Sequence, residues 1–168
     1  MVDRNLDKFE ERTRGYFEEK GIHLKRINCD SKKTPDFENS YCLVETKHYD
    51  GKEKISDTIE FDPTFNAILG HCEKAAKQFE TYDPSHKKIH LLAFFSSELE
   101  KEDILSVFTG CLIPGIQNIR LKSRLSLRYS EQIDAILLFR TINSSKPIIY
   151  SRDRGHKFVQ EHLHILSS

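Results

Sequence analysis

Two stretches, Ile89 to Phe95 and Ile133 to Phe139, constrain this chain most. Each is an almost unbroken apolar run. Side chains alternate between faces along a strand, so a run without polar alternation is apolar on both faces and needs cover on both. The two runs predict buried central strands of one sheet, with helices packed above and below. The remaining elements fit that plan. The apolar residues from Asp3 to Lys20 (Leu6, Phe9, Thr13, Tyr16, Phe17) recur at helical spacing, and Gly21 is a natural stop. Ile22 to Ile27 alternates as a half-buried strand does, and Tyr41 to Lys47 reads as a further strand. Asp62-Pro63 opens a helix from Thr64 to Tyr82, with Phe65, Ile68, Leu69, Cys72, Ala75, Ala76 and Phe79 on one stripe. Leu99 to Phe108 predicts a short helix, Ile119 to Tyr129 an alternating strand, Pro147 to Tyr150 a short strand and Phe158 to Leu166 a last helix. The expected fold class is α/β, a mixed central β-sheet flanked by helices.

At 168 residues the chain suits a single domain, 1–168. Lysines and arginines number 26 and acidic residues 26, so overall charge points to neither nucleic acid nor membrane, and any basic surface must be local. The polar start lacks a secretory signal, and no run is long enough to span a membrane. Cys29, Cys42, Cys72 and Cys111 lie far apart without a CxxC pair, which reads as free thiols in a reducing, cytoplasmic setting, or the nucleus in a eukaryote. No GxSxG, Walker or GxGxxG motif is present, so acyl transfer and nucleotide cofactors find no support.

The chemistry concentrates in Thr34 to His48. In a strand, residues two apart share a face, so Glu45 and Lys47 sit side by side at the end of the apolar Tyr41 to Val44 run. Asp36, at the Pro35-Asp36 corner, can meet them if Phe37 to Tyr41 turn back as a hairpin. Two carboxylates converging beside a lysine suit a hard divalent cation such as Mg²⁺, which takes oxygen ligands and keeps several waters. A lysine there can position a water and offset developing negative charge.

Pro35-Asp36 with Glu45-Thr46-Lys47 resembles the PD-(D/E)xK nuclease superfamily, in the family's order of helix, strand, Asp-bearing strand, Glu-x-Lys strand and helix. The resemblance covers about residues 5–95 as a nuclease core, with C-terminal strands and helix at 116–166 beyond it. It implies a restriction-endonuclease-like fold and Mg²⁺- or Mn²⁺-dependent hydrolysis of nucleic-acid phosphodiesters. It implies metal ligation by Asp36, Glu45 and the Thr46 carbonyl, with Lys47 beside the nucleophile. Many members add an acidic residue from the first helix, and Glu10, bordering the apolar stripe, is the candidate. Gln78 and Tyr82 look like the QxxxY feature of the RecB-like branch. They share a helix face, and Lys74 lies one turn before them.

Arg120, Lys122, Arg124 and Arg128 form one face of the alternating stretch with no acid among them, a candidate phosphate groove. Arg140, Lys146, Arg152, Arg154 and Lys157 extend the basic trend. The expected partner is nucleic acid, DNA before RNA, and cutting both strands of a duplex from one site calls for a homodimer or partner domain. The alternatives are an RNA endonuclease and a catalytically inactive relative that binds nucleic acid or protein.

Overall fold

The computed structural model describes residues 6–28, 34–51, 63–109 and 125–163. In chain order they form α1 (Lys8–Glu19), β1 (Lys25–Arg26), β2 (Phe37–Glu38), β3 (Cys42–His48), α2 (Pro63–Tyr82), β4 (Ile89–Phe95), α3 (Lys101–Thr109), α4 (Leu127–Ser130), β5 (Ala135–Phe139), β6 (Ile148–Ser151) and α5 (Asp153–His162). The strands make one open mixed sheet in the order β1-β2-β3-β4-β5-β6. β1, β2 and β3 are antiparallel neighbours, β3, β4 and β5 are parallel, and β6 returns antiparallel.

The central strands are covered on both faces, as their composition requires. From β4, Leu91, Ala93 and Phe95 pack with Tyr16 and Phe17 of α1 and Phe158 and Val159 of α5. Leu92 and Phe94 face the other way, among Phe65, Ile68 and Phe79 of α2 and Ile104 and Val107 of α3. The sheet is thus the middle layer between two sets of helices.

Several boundaries moved for identifiable reasons. The first helix begins at Lys8 because Asp7 caps it: Asp7 Oδ1 accepts from the backbone of Phe9 and Glu10, and the Glu10 carboxylate accepts from Asp7 N. It ends where expected. Gly21 takes a left-handed φ of 75°, with Gly21 N donating to Glu18 O and Ile22 N to Phe17 O. Ile22 and Leu24 are buried and His23 and Lys25 exposed, as the alternation predicts, but only Lys25–Arg26 joins the ladder.

The stretch expected as a strand over Ile119 to Tyr129 needs correction where it is described. Residues 110–124 lie outside the described part, and Leu127–Ser130 is a helical turn, so Arg128 is on a helix and not on a strand. Leu125 and Tyr129 are four apart, a spacing that one strand face and one helix face share, so periodicity could not separate them. The last helix starts five residues early, at Asp153. Gly155 inside its first turn disguised it. A Cβ there would stand 2.0 Å from the Asp134 carbonyl oxygen, so glycine lets α5 approach the sheet.

Candidate active site

The hairpin between β2 and β3 assembles the centre of the site. Its turn is closed by Asn39, whose Oδ1 accepts from the backbone of Tyr41 and Cys42, both at 2.8 Å. The resulting register sets Phe37 opposite Val44 and Glu38 opposite Leu43. Continued by one residue, it sets Asp36 opposite Glu45, and directly opposed residues share a face with Cβ atoms about 5 Å apart. A ten-residue loop-and-strand spacing in sequence thus becomes a cross-strand pair. That face is the one α2 covers, because Leu43 packs among its side chains.

Glu45 is only 2% exposed, although it carries a carboxylate. Its Oε1 pairs with Lys47 Nζ, two residues on along the same face. Its Oε2 is enclosed and has no hydrogen-bond partner among the described residues. Burial raises the Glu45 carboxyl above its ordinary range, and the Lys47 ammonium opposes that rise. Asp36 Oδ2 accepts from Thr46 N at 2.7 Å. Its carboxyl is pushed from 3.8 up to about 7, by burial first and the neighbouring Glu45 charge second, with Glu10 adding to the rise. The Thr46 amide and Lys47 pull it back. Two buried carboxyls that are both raised, one of them partly by the other's charge, mark a place where negative charge is crowded.

Thr46 lies between Glu45 and Lys47 on the strand and turns its side chain to the other face, where Oγ1 meets Thr13 Oγ1 of α1 at 3.1 Å. Its N–H points to Asp36, and within an extended strand the same residue's carbonyl points to that side too. The carbonyl therefore belongs to the same cluster as the two carboxylates. Hard oxygen donors of this kind fit Mg²⁺ or Mn²⁺, and the unpartnered Glu45 Oε2 is the atom such an ion would satisfy.

Glu10 comes to the margin of this cluster, since its charge acts on Asp36, but its Oε2 has other work. It accepts from Asp7 N at 3.0 Å to cap α1 and from Arg26 Nη2 at 3.3 Å. From α2, Gln78 reaches the centre: its Oε1 accepts from Lys47 Nζ at 3.3 Å and its Nε2 donates to the Thr34 carbonyl at 2.8 Å. Gln78 thus ties the lysine to the chain just before the Pro-Asp corner. Tyr82, one turn on, is 37% exposed at the edge and hydrogen-bonds the Glu38 carboxylate, which with burial raises its hydroxyl's pKa. Lys74 is exposed one turn before Gln78.

Arg128 does not join them. It ion-pairs with Glu80 at 2.6 Å, and Glu80 lies two residues, about 200°, round α2 from Gln78. Arg120, Lys122 and Arg124 lie outside the described residues. Three of the further basic residues are held by carbonyls or an acid of the fold itself. Arg140 binds Leu99 O and Glu100, Arg152 binds Ser130 O, and Arg154 binds His86 O. Sequence reasoning missed Thr13, Arg26 and the Thr34 carbonyl, which hold Thr46, Glu10 and Gln78. Each lies on another segment, and no local pattern reports such a contact. No family model, curated protein or solved structure matches this chain.

Proposed function

We propose that the chain is a divalent-metal-dependent nuclease, hydrolysing nucleic-acid phosphodiesters with DNA favoured, on a restriction-endonuclease-like core. The observation that carries the reading is Glu45 Oε2, a carboxylate oxygen sealed from solvent beside Asp36 and without a hydrogen-bond partner among the described residues. A buried charged oxygen left unpartnered costs several kcal/mol, and folding retains it only where something else meets it. The order helix, Asp corner, Glu-x-Lys strand and helix, together with Gln78 contacting Lys47, supports the same reading.

Asp36, Glu45 and the Thr46 carbonyl would hold Mg²⁺ or Mn²⁺, and Glu10 borders them. When bound, the ion would supply Lewis acidity toward a phosphate oxygen and acidify a water. Glu45 and Gln78 hold the Lys47 ammonium in place, where it offsets the negative charge that builds on the phosphate in the transition state. Tyr82 and Lys74, on the Gln78 side of α2, face the approach of a phosphate backbone. One site cuts one strand, so duplex cleavage would need a homodimer or partner domain.

The test is incubation with supercoiled plasmid or single-stranded RNA, in Mn²⁺ or EDTA, for wild type, Glu45→Gln and Lys47→Ala. Plasmid cleavage in Mn²⁺ is expected, lost in EDTA and at least about 100-fold slower in each variant. Cleavage that survives EDTA or Glu45→Gln defeats the mechanism. Cleavage of RNA alone moves the substrate, and binding of either without cleavage points to the inactive relative.

A further inference from the structure

We propose that His86, His90 and Asp134 form a binding site for a zinc-class divalent cation at the start of β4 and β5, separate from the Glu45 and Lys47 cluster. His90, the second residue of β4, lies beside Leu43, and Asp134 immediately precedes β5, with Asp134 N donating to His90 O at 2.9 Å. Glu45 and Lys47 lie two and four residues further along β3. The turn after α2 brings His86 over His90, their rings stacked at 4.1 Å and 12°, with Phe79 stacked on His90 at 4.7 Å. One donor atom from each of the three residues lies within 4.8 Å of the others. Four-coordinate zinc with bonds near 2.0–2.1 Å sets ligands about 3.4 Å apart and lies in the plane of each imidazole, so binding would part the stacked rings and turn both nitrogens to one ion.

Contacts on both sides fix the His90 ring. His90 Nδ1 lies 3.0 Å from the Gln132 carbonyl, an acceptor only, so Nδ1 carries an N–H. The ring is fully buried, and its Nε2 faces Asp83 Oδ2 at 3.3 Å. A cation at that end of the ring would meet imidazole nitrogen and carboxylate oxygen together. Nδ1–H bonded to a main-chain carbonyl is also the arrangement that orients a metal-ligating histidine.

The site has a fitting donor set and an entrance. Imidazole nitrogen with carboxylate oxygen from Asp134 and Asp83 suits zinc better than Mg²⁺. His86 and Asp134 line a cleft of about 180 Å³ with Ser130, Glu131 and Arg152. The guanidinium Nη1 groups of Arg152 and Arg154 are turned onto the carbonyls of Ser130 and His86, 2.9 and 2.8 Å away. In the metal-free state His86 Nε2 donates to Asp134 Oδ2 at 2.7 Å, and the ion would replace that proton. Bound there, it would clasp the α2–β4 turn to the start of β5.

The test uses untagged full-length protein stripped with EDTA, in an Asp36→Asn/Glu45→Gln background that removes the other candidate site. Calorimetric titration with Zn²⁺ is expected to show one saturable equivalent, weakened at least tenfold by adding His86→Asn. Asparagine suits this position, because His86 has a left-handed φ of 48° and asparagine adopts that region readily. Imidazole nitrogen NMR on the background protein is expected to show Zn²⁺ shifting His90 Nε2, a readout that needs no variant at this site. The proposal is overturned if the background protein takes up no Zn²⁺, if His86→Asn binds it unchanged, or if His90 Nε2 does not respond.

Discussion

At position 45 a carboxylate is held in a place hostile to it, and its neighbours show how far the fold goes to keep it there. Removing the Lys47 ammonium leaves that charge buried and half-paired, so Lys47→Ala should cost about 3 kcal/mol in urea denaturation. The double variant Glu45→Gln/Lys47→Met should recover most of it, because the charge goes with its partner. Asp36 adds a pH signature. Its carboxyl is raised from 3.8 to about 7, so folding favours the protonated form. That contribution is fully present below the unfolded value and is lost as pH climbs through 7. Thermal melts of the metal-free protein should therefore lose stability from about pH 4 to pH 7, and Asp36→Asn should flatten the slope. A profile unchanged in Asp36→Asn would place the strain elsewhere. These three residues were legible in the sequence because period-two alternation puts Glu45 and Lys47 on one face and a short hairpin folds Asp36 back onto it. Glu10's engagement with Arg26 was not, since it depends on a strand sixteen residues away. His90 lies inside an apolar run, and only the fold brings Asp83, Asp134 and His86 to it.

Among the elements, the central strands were the easiest to foresee. Ile89–Phe95 has the bounds its apolar run gives, because a strand buried on both faces has little freedom in where its ends fall. Short elements were harder. The turn Leu127–Ser130 hides in a pattern that suits a strand equally well, and Gly155 weakens the helical signal of α5. The reason for Gly155 is itself testable. An added methyl would press on the Asp134 backbone, which cannot give way as a side-chain tip would, so Gly155→Ala should destabilise by about 1–3 kcal/mol. If Gly155→Ala is neutral in denaturation, α5 does not lie as close to the sheet as described. Asp7→Ala should cost about 1 kcal/mol through loss of the α1 cap.

For the whole molecule, the sheet carries two chemically different clusters. Carboxylates and a lysine meet where β2 and β3 pair, and imidazoles with carboxylates meet where β4 and β5 begin. Among the described residues no helix is long and apolar enough to cross a membrane. Ligand binding to the folded state raises stability by mass action, about 2.7 kcal/mol at 100 times Kd. Mn²⁺ should therefore raise the melting temperature of the wild type at pH 7.5, where Asp36 is largely ionised, and much less at pH 5. The most direct measurement is an anomalous difference map from crystals grown with Mn²⁺. A peak about 2 Å from oxygens of both Asp36 and Glu45 is the predicted result. A map with no density there, in a crystal whose two carboxylates are otherwise ordered, would contradict the account.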